Sequence, residues 1–312
     1  MDRNWDCIVV GGGAAGLSAA LVLGRARRTT LVVDAGRQSN LAAHGIGGLL
    51  GHDGRPPADL YAAGREELAA YATVELRAGE IAAGERDEAG FTLELADGTR
   101  ERARRVLLAT GMEYRYPGLP GIPERWGRSV FHCPFCHGWE VREQALGVLD
   151  RGSSGTRRAL LLRSWSDDVT LLADGPAELD AEETGQLEAA GVAIDERRVA
   201  ELRGPDDSLT GIGFADGTER PIGALLVPVT THQRSPLAEQ LGAALSEAGP
   251  VAADAIGVDA MHRTSAPGVF AAGDACEQMP SVANAIAAGS KAAAAVVGDL
   301  MAEAPDRVGV GG

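Results

Sequence analysis

The stretch Cys7-Ile8-Val9-Val10-Gly11-Gly12-Gly13-Ala14-Ala15-Gly16-Leu17 decides the fold. An apolar strand runs into a turn with Gly11, Gly13 and Gly16 in G-x-G-x-x-G spacing, and small apolar residues continue as a helix through Leu23. Glycines in that order let the backbone approach a pyrophosphate, and the helix N-terminus turns free N–H groups and a positive dipole end toward it. The residues between and around those glycines, Ala14 and Ala15 included, are candidate cofactor contacts. A second strand, Thr30 to Val33, ends in Asp34, 23 residues past Gly11, where a carboxylate suits a ribose hydroxyl.

Downstream, apolar runs at Phe91 to Leu95 and Arg104 to Leu108 flank Ala96-Asp97-Gly98-Thr99, a hairpin signal, and end at Ala109-Thr110-Gly111. The same order then recurs. A strand Ala145 to Leu149 meets Asp150-Arg151-Gly152-Ser153-Ser154-Gly155, a strand Val169 to Leu172 precedes Asp174, and Ala215-Asp216-Gly217-Thr218 precedes the apolar run Leu225 to Val229. Gly155 stands 139 residues past Gly16, Asp174 140 past Asp34, and Ala215 119 past Ala96, so one unit is used twice with a shortened middle. The expected fold is α/β, with two Rossmann-like, three-layer nucleotide-binding domains, each carrying a β-meander.

The 312 residues allow about two domains, and 45% hydrophobic with 23% charged residues is an ordinary globular balance. No uninterrupted apolar run approaches the ~18 residues of a membrane span, so a soluble protein without membrane attachment is expected. Met1 to Cys7 carries Asp2, Arg3 and Asp6 and leads directly into the first strand, so a cytoplasmic location is expected. A net charge of −15 disfavours nucleic acid and anionic membrane surfaces as partners.

The third informative stretch is Thr264-Ser-Ala-Pro-Gly268-Val-Phe-Ala-Ala-Gly273-Asp274, followed by a small-residue helix from about Ser281 to Met301. Here the chain resembles the two-domain FAD and NAD(P) disulfide reductases over nearly its whole length. The resemblance implies FAD as cofactor and a discontinuous FAD domain, 1–115 plus 239–312, with a domain 116–238 inserted between them. It implies that Asp274 holds the ribityl chain, with Gly273 beside it a further cofactor contact, and that Val282 and Ala283, at a helix start, lie against the pyrimidine end of the flavin. Ala35, Gly36, Arg37, Gln38, Asn40 and His44, following the ribose acid, and Ala109, Thr110 and Gly111 are further candidate FAD contacts. A homodimer is also implied.

The chemistry concentrates in His132-Cys133-Pro134-Phe135-Cys136-His137-Gly138-Trp139-Glu140. The Cys-x-x-Cys spacing lets both sulfurs share a helical turn, so a disulfide opens and closes with little backbone change, and a helix N-terminus is expected to depress the leading thiol. His132 and His137 are candidate proton carriers. Covalent haem needs an exported protein, and structural zinc needs four ligands where Cys7 and Cys276 stand far apart, so no metal is expected. Cys7, in mid-strand, reads as a core residue. The segment resembles that of low-molecular-weight thioredoxin reductases, in which the pair faces the isoalloxazine. Those enzymes carry Asp after the second cysteine. His137 in that place, with His132 before the pair, resembles the thioredoxin-reductase-like dithiol oxidases that close disulfides in natural products such as gliotoxin and holomycin.

The second glycine loop points the same way. Asp150 stands where Gly11 stood, adding bulk and negative charge at a pyrophosphate position. Ala173-Asp174-Gly175 stands where similar reductases carry His-Arg-Arg for the NADPH 2′-phosphate. Asp174 leaves weakened NADH binding open. The leading expectation is oxidation of a small dithiol through Cys133 and Cys136, with dioxygen as acceptor and hydrogen peroxide as product. The alternatives are a disulfide reductase fed by NADH, ferredoxin or another donor, and a flavoprotein thiol switch without turnover.

Overall fold

A computed structural model describes residues 4–303. The chain divides into two compact units. One comprises the described residues up to Leu41, Ala58–Tyr114 and those from Thr230 onward; the other comprises Ala42–Pro57 and Arg115–Val229.

In the first unit, strands Val74–Ala78, Thr30–Asp34, Asn4–Val10, Arg100–Leu108 and Val269–Ala271 lie in that order and run parallel. Arg100–Leu108 serves two structures. Its first half pairs antiparallel with Gly90–Leu95, which continues to Ile81–Asp87 as the meander, while Val106 to Leu108 pair with Val269–Ala271. Parallel strands covered on both faces need apolar residues on both. Accordingly Ile8, Val10, Leu31 and Val33 join a core with Phe91, Leu93 and Leu237, and Cys7, Val9 and Val32 join another with the helices. Cys7 is fully buried there, and burial pushes its thiol far up.

The helix Val282–Ala302 is long and apolar enough to cross a membrane by length and composition. This qualifies the expectation drawn from uninterrupted runs. The reason for its apolarity lies in packing. Ala285, Gly289, Ala292, Ala293, Val296 and Leu300 are buried. At Gly289 a Cβ would overlap the Ala15 carbonyl of helix Ala14–Arg25, so a small-residue face permits that close crossing.

The second unit holds a five-stranded parallel sheet in the order Ala193–Asp195, Val169–Leu172, Leu146–Leu149, Ala224–Leu226, Val130–Phe131. A three-stranded antiparallel meander, Val199–Arg203, Gly211–Phe214 and Glu219–Pro221, accompanies it. The internal duplication extends to hydrogen bonds. Leu95 N–H meets the Thr99 carbonyl at 2.8 Å and Phe214 N–H meets that of Thr218 at 2.9 Å. Asp97 and Asp216 each accept the N–H two residues on, at 2.8 and 2.9 Å.

Two boundaries differ from the sequence reading. The first unit resumes at Thr230 rather than 239, because strand Thr230–Gln233 pairs with Met112–Arg115. Ala42–Pro57, placed with the first domain on sequence order, groups with the second unit instead, through contacts that include Arg128 Nε donating to the Ala42 carbonyl at 3.0 Å.

Candidate active site

In the second unit, strand Val130–Phe131 ends in His132, and Cys133 takes the N-cap of a four-residue helix, Pro134–His137. Pro134 at the first position suits that start, its ring presetting φ and its missing N–H costing no bond. Cys133 and Cys136 form a disulfide with Cα atoms 5.4 Å apart, and Cys136 N–H donates to the Cys133 carbonyl at 3.2 Å. The helix ends after one turn at Gly138, where a Cβ would press on Trp165 at 2.8 Å. One turn sums few peptide dipoles, so the thiol depression expected from a helix N-terminus has little to act with. Phe135 is 70% and Trp139 66% exposed, so two rings stand in solvent beside a partly exposed disulfide. Phe135 meets the edge of Trp165, and Arg142 lies 4.0 Å over the Trp139 ring.

Both imidazoles are held flat and mostly covered. His132 stacks on Trp126 and His137 on Phe131, with centroids 5.8 and 5.4 Å apart. Burial, and then the neighbouring His137, pushes His132 down to about 4. Burial also lowers His137, against contributions from the Cys133 and Gly127 backbone and Glu140. Its Nε2 lies 3.1 Å from the Gly127 carbonyl, which can only accept, so a proton on Nε2 is satisfied there. Nδ1 is buried and makes no hydrogen bond of acceptable geometry among the described residues, although the Cys133 backbone lies close enough to favour a protonated ring. Near neutral pH both rings are uncharged bases.

In the first unit, Gly11 has φ +107°, and a Cβ there would overlap the Ala109 carbonyl. Gly16 packs on the Gly11 carbonyl, and Gly12, which the spacing pattern leaves free, would drive a Cβ to 2.6 Å from Asp34 Oδ2. Gly13 caps helix Ala14–Arg25 with no side-chain cap and no acid in the first turn, and a Cβ there would meet only Gln38 Cγ, at 3.5 Å. The result is an open cradle of backbone N–H groups. Asp34 closes the second strand. Burial works to raise its carboxyl, but the Gly36 N–H, Arg65 and the Gly12 backbone hold it below the ordinary range. Arg65 Nη2 lies 3.0 Å from it, and Gln38 donates at 3.1 Å. A groove of about 660 Å³ opens here, lined by Asp34, Gly36, Arg37, Arg65, Arg77 and Glu80 among others.

Asp274 is half-buried; its loss of solvent raises its carboxyl, and Tyr114 Oη donates to it at 3.1 Å. Arg234, nearby in charge terms, donates to the Met112 carbonyl at 2.8 Å. Asn40 accepts from Tyr61 at 2.8 Å. Arg65, Tyr61 and Tyr114 carry no motif of their own, and only tertiary contact reveals them. Ser281 caps the helix that begins at Val282 and Ala283 by accepting from Asn284. An uncapped glycine cradle, an acid at the strand end and a half-buried carboxylate fit a dinucleotide cofactor. Of the expected contacts, Ala35, Gly36, Arg37, Thr110 and Gly111 lie in this unit. His44 does not; it belongs to the second unit, mostly exposed, 3.3 Å from Asp207.

The second unit's loop has the same frame with different contents. Gly11 N–H donates to the Val33 carbonyl at 2.8 Å, and Asp150 N–H donates likewise to Leu172 at 3.3 Å, which fixes the correspondence of the two positions. Asp150 then fills the loop. Its carboxylate accepts from Arg151 N–H at 2.8 Å and Ser154 Oγ at 2.9 Å, and pairs with Arg158. Asp174, at φ 52°, accepts the Val199 N–H at 2.9 Å and lies 3.5 Å from Arg198. The sequence leaves Asp174 open as a ribose acceptor. The structure gives its carboxylate to the protein.

Residues 5–289 match the pyridine nucleotide-disulphide oxidoreductase family. The chain belongs to that family. It is a flavin-dependent redox enzyme with the family's mixed α/β fold. A thioredoxin reductase of Claviceps purpurea (strain 20.1) is 32% identical over 308 residues, 96% of this chain and 95% of the relative. Among solved structures, an oxidoreductase from Agrobacterium tumefaciens is 35% identical with a TM-score of 0.90, covering 96% of this chain and 99% of its own. The structure titled HlmI is 37% identical with a TM-score of 0.90, covering 97% of this chain and 95% of its own. Members of the family typically bind FAD.

Proposed function

We propose that this family member is a dithiol oxidase, drawing electrons from a small dithiol of the holomycin type rather than from a nicotinamide. The observation that carries this reading is Asp150: its carboxylate takes the Arg151 N–H, Ser154 and Arg158 that an incoming pyrophosphate would need, and adds a negative charge to repel it. Asp174, engaged by Val199 and Arg198, adds to it.

Gly11, Gly13, Ala14, Ala15 and Gly16 would hold the FAD pyrophosphate, Asp34 the ribose, Asp274 the ribityl chain, and Val282 and Ala283 the pyrimidine end. Bound FAD would accept two electrons from the reduced cysteine pair and pass them to dioxygen, giving hydrogen peroxide. A substrate thiolate attacks Cys133 Sγ; the S–S bond breaks and Cys136 leaves as a thiolate. The second substrate thiol, giving its proton to an imidazole, attacks the mixed disulfide and expels Cys133. The product departs with its own disulfide, and the enzyme keeps two electrons as a dithiol. His137, in the cysteine turn itself and lowered less by its surroundings because backbone and Glu140 contributions oppose burial, is the better base; His132, at about 4, is a weak one. In this reading the enzyme is a cytoplasmic homodimer.

Similarity to the thioredoxin reductase of Claviceps purpurea favours a second reading, a disulfide reductase. Anaerobic mixing with NADPH and NADH separates the two. The oxidase reading expects an unbleached flavin with either nucleotide and bleaching by a dithiol; rapid bleaching by a nucleotide overturns it.

A further inference from the structure

The second unit contains one segment from far up the chain, Ala42–Pro57, and that segment is built as a closed loop. Ile46 N–H donates to the Arg55 carbonyl and Gly54 N–H to the Ile46 carbonyl, both at 2.9 Å. His52 N–H meets the Leu49 carbonyl at 2.8 Å, and the Asp53 carboxylate takes the Gly48 N–H at 2.8 Å. Ile46 and Leu49 are buried, while Leu50 at the tip is 99% exposed. The loop is thus anchored at its base and tied across.

Its glycines do different things: a Cβ on Gly45 would lie 2.7 Å from the Gly54 carbonyl oxygen, a contact within the loop itself. Gly48, Gly51 and Gly54 have φ between +74° and +81° and open space where a Cβ would go, so they serve the turn. Gly47 has no such backbone requirement. A Cβ on it would lie 2.6 Å from the Cys136 carbonyl oxygen, 3.2 Å from the carbonyl carbon and 3.3 Å from Cα. Gly47 is there for contact, and the contact is with the backbone of one redox cysteine.

We propose that Gly47 is a positioning residue for the thiol–disulfide pair, the tied loop forming a stop against which the Cys136 backbone rests. This rests on the reading of Cys133 and Cys136 as the pair that exchanges with thiols. A methyl at position 47 forces one side to move. The loop base is buried and tied, whereas Cys136 sits in a single turn with one backbone bond to Cys133, so the turn yields. The disulfide needs both cysteine backbones in register and the dithiol does not, so the substitution favours the reduced form.

The test is the equilibrium of the pair with reduced and oxidised glutathione, read on the holoenzyme by alkylation of free thiols and mass spectrometry, with flavin content alongside. Gly47→Ala is expected to shift the equilibrium at least tenfold toward dithiol with flavin content unchanged. Gly48→Ala, which strains the loop without touching Cys136, is expected to stay within twofold of wild type. Should Gly47→Ala not fold, Asp53→Ala loosens the loop without adding atoms and is expected to shift the equilibrium at least threefold. An equilibrium within twofold of wild type in folded Gly47→Ala, or in Asp53→Ala when the former does not fold, overturns the proposal; so does an equal shift in Gly48→Ala. A wild-type pair that does not exchange with glutathione at all overturns instead the underlying assignment of the redox pair.

Discussion

Arg158 reaches back along its own helix to pair with Asp150, so the first turn of Gly152–Leu162 is answered by a carboxylate from within the chain. Removing that carboxylate leaves Arg158, Ser154 and the Arg151 N–H without an anion in a largely covered place. Asp150→Gly is therefore expected to lose about 1–3 kcal/mol of unfolding free energy. It is also expected to regain part of that on adding inorganic pyrophosphate, seen as a rise in Tm that wild type lacks. An equal response of both proteins to pyrophosphate would remove the argument that Asp150 plugs the site.

How much of this was legible in the sequence depends on how local the signal is. Gly11, Gly13 and Gly16 betray a cradle because their spacing follows from the turn itself. Asp97-Gly98-Thr99 and Asp216-Gly217-Thr218 betray hairpins because the aspartate caps a bond two residues away. Membership of Ala42–Pro57 in the second unit has no such signal, since it is decided by contacts such as Gly47 on Cys136. For the same reason Tyr114 beside Asp274 is invisible 160 residues away in sequence. The helix that begins after Cys133 is four residues long, and nothing local in Pro134-Phe135-Cys136-His137 marks where it stops.

The acid stability of the protein carries the mark of His132. Its ordinary value is 6.5, and burial takes it to about 4 in the folded chain. Between those values the unfolded chain binds a proton that the folded chain does not, so stability present above pH 6.5 is lost as pH falls toward 4. The loss at this one group is about 3 kcal/mol. His132→Phe keeps a ring against Trp126 and removes the proton. Urea unfolding at pH 7, 6, 5 and 4 should show wild type losing stability faster than the variant; parallel curves would discard the assignment.

Tyr114 donates to a carboxylate that burial already disfavours as an anion. Tyr114→Phe takes that donor away. A hydrogen bond to a charged group contributes about 1.5–3 kcal/mol, and the variant's apoprotein should lose that order of stability in denaturant. If Asp274 holds the ribityl chain, the flavin dissociation constant should rise about tenfold or more as well, measured by fluorescence recovery on release. Unchanged values of both would mean that the pair does not position Asp274.

His137 supplies the sharpest test of catalysis, because it lies in the cysteine turn itself. Nε2 lies 3.1 Å from the Gly127 carbonyl, and the Cys133 backbone faces the same ring. His137→Phe preserves the stack on Phe131 but leaves no acceptor. If this imidazole takes the substrate proton, kcat for dithiol-dependent oxygen consumption should fall by about 10²- to 10⁴-fold while Tm changes little. The pH profile adds a second, independent reading. Burial holds His137 below the usual imidazole range, so the base stays available as the pH is lowered through 6.5. The acid limb of the wild-type kcat profile should accordingly lie below 6.5, and the variant should lack it. A limb centred at or above 6.5, or one that persists in His137→Phe, would assign the proton to another group.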